Sequence, residues 1–300
     1  MDLKKRIKSL ALKLGASDIA FTNVKNFDLL DNFFIYKNEK NVPGMEYISN
    51  SIEKRLFPLK EHPFAKTAIM IAVANKLEKK PDLGFKIAEY ALSLDYHIRV
   101  KEILSIIEFS LQKLGLQTYS FVDAQPVLEK HLASRAGLGK WGKNGLLYNK
   151  KCGSYFNIGG IFTDLKIKVV NTNDLKLDCG DCNKCIEACP TNAIKENYKI
   201  DPVKCISYQT IENKEDINES IKPKLSNYIF GCDICQLVCP KNSNIKGSLL
   251  PLELLKIKSL TDQILSLDSN KEYKRKFSES PLGRLKLEKI KNNIKAATSN

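Results

Sequence analysis

Two features that are common in exported and membrane proteins are missing from this sequence. No apolar run in its 300 residues approaches the length that crosses a bilayer. The first residues, MDLKKRIKSLALKLG, carry too much charge for the apolar core of a secretory signal. We therefore expect a soluble, cytoplasmic protein with no membrane partner. Because disulfides need an oxidising compartment, we do not expect the nine cysteines to form them.

Eight of these cysteines lie between residues 179 and 239, in runs that end before proline. The first run reads C-x2-C-x2-C-x3-C-P and the last reads C-x2-C-x3-C-P. In bacterial ferredoxins, three thiolates of such a run hold one [4Fe-4S] cluster, and the cysteine before proline binds the other cluster. That rule gives two ligand sets: Cys179, Cys182, Cys185 and Cys239 for one cluster, and Cys189, Cys205, Cys232 and Cys235 for the second.

Cys205 departs from a plain ferredoxin because it stands far ahead of Cys232. The segment 206–231 must therefore loop out and return. Zinc is the alternative, since paired CxxC motifs also form four-cysteine zinc sites. Zinc knuckles have no use for a third ligand two residues on or for the CxxxCP endings, so the spacing favours clusters. The ninth cysteine, Cys152, is left over, and we expect it to be a small buried hydrophobe.

The chain is strongly basic, with a net charge of +14 and a pI near 9.2. A basic surface attracts polyanions and gains from counterion release, which favours a nucleic acid as partner. A lysine-rich and asparagine-rich proteome would produce the same charge, so charge alone does not decide. Residues 246–300 are lysine-rich and helix-prone. They form either a solvated face or a surface for nucleic acid.

Hydrophobic periodicity predicts helices and strands in alternation over the first half of the chain. The length and the 43% hydrophobic content are enough for about two domains. A continuous apolar run such as AIMIAVA is typical of a strand covered on both faces. The predicted helices are 3–14, 100–114 and 127–136, and the predicted strands are 68–74, 118–122 and 153–165. Glycines in the last strand indicate a bulge or a close backbone approach.

Asp123 follows the predicted strand 118–122 directly. In open α/β sheets, ligands and catalytic groups collect just beyond the carboxyl ends of strands. A lone aspartate at that place, before Pro126, also suits a turn or a helix cap, and position alone favours the cap.

A glycine-rich loop, GLGKWGKNG, follows the helix 127–136. It contains a formal G-x-G-x-x-G, but a dinucleotide fingerprint must follow a strand and open a helix, so the context rejects it. Its backbone amides, together with Lys140 and Lys143, could approach a phosphate or a large planar cofactor. A simple connection made of turn residues is the alternative.

Several stretches together resemble one family, the epoxyqueuosine reductases. The strong matches are VDAQPVLEKHLASRAGLGKWGKN (122–144), GSYFNIGGIFTDL (153–165), CGDCNKCIEACPTNAI (179–194), KCISYQTIE (204–212) and IFGCDICQLVCPKN (229–242). Weaker matches are GMEY (44–47) with Arg55, DYH (95–97) and SPLGRLK (280–286). The chain differs from the usual family pattern in VDAQP, where VDTGP or VDSAP is common, and in GKWGK, where GW-x-GK is common.

The resemblance implies a fold and a domain order. The expected architecture is an α/β (α+β) cobalamin-binding catalytic domain like that of reductive dehalogenases, followed by a double [4Fe-4S] ferredoxin-like domain. We place the boundaries at residues 1–168 and 169–245, with 246–300 as a basic helical C-terminal segment. The helical-repeat extension of longer family members is not expected here, and we expect a monomer.

The resemblance also implies a reaction. Family members reduce epoxyqueuosine to queuosine at the wobble position of tRNA, the last step of queuosine biosynthesis. An external low-potential donor supplies electrons, which pass through the two clusters to cobalamin. Two other functions stay open: an electron-transfer ferredoxin module, and a corrinoid-dependent reductase of another substrate such as an organohalide. The second function is disfavoured, because this sequence does not show the twin-arginine export signal that respiratory dehalogenases usually carry.

By the same resemblance, Asp123 matches the family's proton donor. We expect burial near the corrin to raise its pKa and so keep a proton available near neutral pH. The residues expected to contact cobalamin fall in the matching segments: Arg55, Tyr96, His97, Lys143, Asn144 and Ser154.

Overall fold

A four-stranded sheet organises the first half of the chain in the computed structural model, which describes residues 2–27, 42–169, 179–195, 200–255 and 260–298. The described strands are β1 (Asp18–Asn23), β2 (Thr67–Ala74), β3 (Lys86–Ile87), β4 (Thr118–Phe121), β5 (Lys140–Trp141), β6 (Leu147–Tyr148), β7 (Phe156–Thr163) and β8 (Tyr228–Phe230). The described α-helices are α1 (Leu3–Lys13), α2 (Glu46–Ser49), α3 (Ile52–Leu56), α4 (Pro58–Glu61), α5 (Tyr96–Gln112), α6 (Glu129–Arg135), α7 (Lys184–Glu187), α8 (Ile206–Ile211), α9 (Ile234–Leu237), α10 (Leu260–Leu265), α11 (Asn270–Lys276) and α12 (Leu287–Thr298).

The main sheet has the order β1-β2-β7-β4, and each neighbouring pair is antiparallel. Helices α1 and α5 pack on one face, and α6 packs on the other. Strand β2 is therefore buried along nearly its whole length, as its apolar run predicts. The placement of Asp123 relied on open α/β sheets, which are mostly parallel. This sheet differs from them because its strands are antiparallel. Asp123 nevertheless follows the carboxyl end of β4 closely.

Glycines let β7 pack closely against its neighbours. A Cβ on Gly159 would come within 2.4 Å of Val100 Cγ1 on α5, and one on Gly160 within 2.5 Å of the Phe121 ring. The register between β2 and β7 runs without a shift from Thr67 to Ala74. Of the two predicted reasons for these glycines, close approach is confirmed and a bulge is not found.

The two long N-terminal helices have clear caps, although α5 begins at Tyr96, ahead of the predicted start at residue 100. The Asp2 carboxylate caps α1, and Asp95 caps α5 by accepting the His97 backbone N–H. Gly15 and Gly115, just beyond the two helices, adopt positive φ values of 102° and 77°. No described helix is long and apolar enough to span a membrane.

The second core joins the cysteine-rich region to the C-terminal helices. The segment after Cys205 forms α8, a 3-10 turn at Lys222–Lys224 and β8, and it returns to Cys232 as predicted. Helix α12 buries Ile290 and Ile294 against this segment, while its three lysines stay exposed or half-buried. The buried Asn293 amide donates to the carbonyls of Thr210 (2.8 Å) and Ile229 (3.0 Å), which fixes α12 to α8 and β8. The basic C-terminal segment is therefore part of a packed core.

Candidate active site

Asp123 lies at the tip of a strained turn at the end of β4. Its φ is 56°, and the Ala124 N–H donates to the Val122 carbonyl at 2.6 Å. An i+2 to i bond around a residue with positive φ is the rare form of the γ-turn. Such a conformation costs on the order of 1–3 kcal/mol and persists only where the surroundings impose it. Sequence position alone favoured a turn or cap role for Asp123, and the turn is present.

Two residues at the start of α5 contact the Asp123 carboxylate. The Tyr96 hydroxyl donates to Asp123 Oδ2 at 2.5 Å, and His97 Nε2 lies 3.6 Å from the same oxygen. His97 Nδ1 contacts Asp95 Oδ1 at 2.9 Å, and the Tyr96 and His97 rings stack with centroids 4.1 Å apart. The imidazole therefore sits between two carboxylates.

The proton of this group resides on His97 and not on Asp123. The interaction with His97 is the main cause that lowers the pKa of Asp123 to about 2. Burial acts in the opposite direction, and the hydrogen bond from Tyr96 lowers the pKa further. The close contact with Asp123 and the hydrogen bond to Asp95 raise the pKa of His97 to about 9. Burial by itself does raise the pKa of Asp123, as expected, but the contacts with His97 and Tyr96 outweigh burial, so the net pKa is lowered. At neutral pH the site holds an imidazolium beside a carboxylate.

Glu129, which the sequence analysis did not single out, lies under the Asp123 turn. Its Oε1 accepts the Asp123 backbone N–H at 2.5 Å, and the Gln125 Oε1 accepts the Val122 N–H at 2.9 Å. Burial, and then the charge of Asp123, raise the pKa of Glu129 to about 8. Glu129 lies within the matching stretch 122–144, but periodicity gave no reason to distinguish it from other helix residues.

Arg55 and Arg284 place positive charge near the turn. Arg55 donates to the Val127 carbonyl (3.3 Å) and to Ser51 Oγ (2.9 Å), so it ties α3 to the segment beyond Asp123. Arg284 pairs with Glu212 at 2.6 Å. A cavity of about 400 Å³ adjoins Asp95, Tyr96 and His97. Its other lining residues are two aromatic rings, two cations, two serines, a proline and a glycine: Tyr90, Phe230, Lys274, Arg284, Ser278, Ser280, Pro281 and Gly283.

The other predicted cofactor contacts lie elsewhere, beside the thiols. A second cavity of about 200 Å³ is lined by Lys143, Asn144 and Ser154 together with Cys179, Cys182, Cys185 and Cys239. Lys143 Nζ donates to Gly180 O and to Asn183 Oδ1, both at 2.8 Å. Ser154 is buried and bonded to Gln236 and Asn242. Of the six predicted contacts, the structure brings only Arg55, Tyr96 and His97 near Asp123.

The eight thiols fall into the two groups that the spacing assigned. In the first group, burial and then the neighbouring Cys179 and Cys239 raise the pKa of the Cys185 thiol to about 11. In the second group, burial raises the pKa of the Cys232 thiol to about 12, and Cys205 and Cys189 add to it. Among the described residues, no three His, Cys, Asp or Glu side chains lie close enough together to hold a single metal ion.

Buried charge surrounds the second group. Asp233 is buried between Cys232 and Cys235, and its Oδ2 accepts the Glu89 N–H at 2.7 Å. Lys80 Nζ pairs with Glu89 Oε2 at 2.7 Å and lies 3.6 Å from Asp233 Oδ2. Two buried carboxylates therefore share one ammonium beside these thiols. The ninth cysteine, Cys152, is buried in the core under the main sheet, which confirms its assignment as a small hydrophobe.

Comparisons with known proteins agree with this geometry. The family model of the 4Fe-4S double cluster binding domain matches residues 178–242. An epoxyqueuosine reductase of Leadbetterella byssophila is 38% identical over 304 residues, which cover 98% of this chain and 97% of that protein. The structure of epoxyqueuosine reductase from Streptococcus thermophilus is 30% identical with a TM-score of 0.83, and the match covers 99% of this chain and 81% of that one.

Two further structures place the fold. An epoxyqueuosine reductase solved with a tRNA-Tyr epoxyqueuosine-modified stem loop matches with a TM-score of 0.84 and 28% identity, over 98% of this chain and 80% of that one. The reductive dehalogenase NpRdhA matches with a TM-score of 0.55 and 20% identity, over 85% of this chain and 34% of that one. The predicted dehalogenase-like fold is therefore confirmed.

Proposed function

The chain belongs to the epoxyqueuosine reductase family, and from that premise we propose that it reduces epoxyqueuosine to queuosine at the wobble position of tRNA. This is the last step of queuosine biosynthesis and makes the protein an oxidoreductase. The observation that carries the proposal is the group of Asp123, His97 and Tyr96, which stores a proton in a chain that also carries two groups of four thiols. An electron-transfer module has no need of such a group.

The residues present fit the cofactors that the reaction needs. Each thiol group supplies four sulfur donors, the number that a [4Fe-4S] cluster takes. The aromatic rings, serines and cations that line the 400 Å³ cavity suit part of a large flat ligand with polar edges. Arg55, Tyr96 and His97 would hold cobalamin on the Asp123 side, and Lys143, Asn144 and Ser154 on the thiol side. Bound cobalamin supplies the carbon-oxygen bond reduction that no side chain can perform.

The protein's own part in the chemistry is proton supply. Conversion of an epoxide to an alkene takes up two electrons and two protons, and the oxygen leaves as water. One proton passes from the His97 imidazolium to Asp123 through the contact at Oδ2 and from Asp123 to the departing oxygen, and the second proton comes from solvent. Tyr96 holds the same oxygen at 2.5 Å and keeps the carboxylate oriented. The strained turn places this carboxylate clear of the core, where a substrate can reach it.

The net charge of +14 suits a tRNA partner. The wobble base must leave its stack to reach a side chain at the end of β4, as in other enzymes that modify bases. We further propose that the protein acts as a monomer in the cytoplasm. A low-potential donor gives it single electrons, which enter through the thiol-bound clusters.

Expression in bacterial cells whose tRNA accumulates epoxyqueuosine tests the proposal. We expect the wild-type chain and the Cys152→Ala control to convert the modified nucleoside to queuosine, while Asp123→Asn does not. Asparagine tolerates positive φ, so this change removes the acid and spares the turn. Accumulated epoxyqueuosine in cells that contain the cluster-loaded wild-type protein would contradict the proposal.

A further inference from the structure

The turn that carries Asp123 projects beyond the packed core. Val122 is buried, but Asp123 and Ala124 are both exposed. Packing therefore does not hold the turn in its strained form. Some other contact must hold Asp123 at a φ of 56°, because a residue in this strained conformation returns to an ordinary one unless its surroundings prevent it.

Side-chain acceptors on the following segment supply that restraint. Glu129 Oε1 accepts the Asp123 N–H at 2.5 Å, and Gln125 Oε1 accepts the Val122 N–H at 2.9 Å. Glu129 is the first residue of α6, whose next turns are buried against the main sheet. The backbone of Glu129 is therefore held in place by the packing of α6, while Arg55 ties α3 to the Val127 carbonyl near it.

We propose that Glu129 is a positioning residue that clamps the Asp123 turn and so keeps the Asp123 carboxylate against Tyr96 and His97, with Gln125 as a second, weaker clamp. Glu129 does not touch the reacting atoms in this account. It acts through the backbone N–H of Asp123. The expected loss of turnover in Glu129 variants rests on the proposed function, whereas the expected movement of the Asp123 turn does not.

Charge is the competing explanation, and matched variants separate it from clamping. The charged groups facing Glu129 are Asp123, Arg55 and His97, with Lys130 next to it on α6. Glu129→Gln removes the charge that Glu129 carries above about pH 8 but keeps an acceptor for the Asp123 N–H, and Glu129→Ala removes both. The difference between these variants therefore reports the clamp. Glu102→Ala, an exposed change on α5, serves as the control.

The His97 imidazole reports the position of Asp123 without any turnover. The chain has three histidines, and NMR of histidine-labelled, cluster-reconstituted protein follows each one. His97 titrates near pH 9 because Asp123 and Asp95 contact it, whereas burial lowers the pKa of His131 to about 4 and also lowers that of His62. A turn that swings away removes Asp123 from His97, and the His97 pKa falls.

We expect Glu129→Ala to lower the His97 pKa most of the way to the value in Asp123→Asn. Glu129→Gln should lower it by less than half as much, Gln125→Ala should cause a smaller fall in the same direction, and Glu102→Ala should leave it unchanged. In turnover, Glu129→Ala should lower kcat by about 10²-fold with little change in KM for tRNA, since misplacement by about 1 Å has that effect.

Equal His97 pKa values in Glu129→Ala and Glu129→Gln would overturn the clamp and leave only an effect of charge. A wild-type pKa in both Glu129→Ala and Gln125→Ala would overturn it as well. Should Glu129→Ala fail to fold, Gln125→Ala decides alone. If the wild-type protein shows no epoxyqueuosine turnover but the His97 pKa differs clearly between the two Glu129 variants, the clamp is supported and the proposed function is refuted.

Discussion

Replacing Asp95 by asparagine separates two roles that this side chain has at the start of α5. Its Oδ1 caps the helix by accepting the His97 N–H at 2.8 Å, and it also contacts the His97 ring at 2.9 Å. Asparagine is as good a cap as aspartate, so the helix keeps its first turn. Only the negative charge beside the imidazole is lost. We expect the enzyme to fold normally and His97 to lose its proton at a lower pH.

The size of this change follows from the His97 pKa. Its rise from 6.5 to about 9 corresponds to about 3 kcal/mol in favour of the imidazolium. The side chains of His97 and Asp95 are 28% and 23% exposed, so solvent screens their contact only in part. The contact with Asp123 contributes most and the hydrogen bond to Asp95 comes second, so we assign about 1 kcal/mol to Asp95. Asp95→Asn should therefore bring the His97 pKa to about 8.

The assay is the pH dependence of kcat/KM, which reports the free enzyme. The wild type should lose activity as pH rises through about 9, and Asp95→Asn through about 8. Stability follows the same sign, because a raised pKa stabilises the fold fully below pH 6.5 and the contribution disappears by about pH 9. The stability difference between the two proteins should therefore be largest at and below pH 6.5. An alkaline limb that stays in place, or moves upward, would refute His97 as the proton source.

Three further changes test the thiol groups and the core. Cys205→Ala should lower the iron content from about eight to about four atoms per chain and abolish turnover. The control Cys152→Ala should keep both clusters. A full iron content in Cys205→Ala would show that the ligand assignment is wrong. Asp233→Asn removes a buried charge beside the second cluster and should raise its reduction potential in an EPR-monitored titration, and an unchanged potential would contradict this. Gly160→Ala places a Cβ 2.5 Å from Phe121 Cζ and should cost roughly 1–3 kcal/mol in denaturant unfolding, and a wild-type midpoint would show that the ring can move.

Local patterns predicted the elements of this fold, but not how they pair. Helices α1 and α5 carry their periodicity, their caps and their terminal glycines within a few residues, so the sequence locates them well. Strand β7 inserts between β2 and β4, and this antiparallel order depends on contacts between residues far apart in the chain. Periodicity reports which face is buried and carries no information about the partner strand.

The site was predicted unevenly for the same reason. Thiol spacing within short turns predicted which cysteines come together. The pKa of Asp123 was predicted in the wrong direction because it depends on His97, which approaches only when α5 packs beside β4. Lys143 was predicted to contact cobalamin, and this stays a prediction. Its spacing did not reveal that its ammonium bonds to the loop at Gly180. Glu129 was missed because its role is a contact to a backbone N–H that no spacing reveals.

Anaerobic turnover of tRNA that carries epoxyqueuosine tests the central claim most directly. The reaction would contain cluster-reconstituted protein, cobalamin and a strong reductant, with mass analysis of the digested nucleosides. Asp123→Asn and a reaction without cobalamin would run beside it. We expect the nucleoside to lose one oxygen atom in the complete wild-type reaction and in neither control. An unchanged nucleoside, from protein shown to hold both clusters and cobalamin, would contradict it.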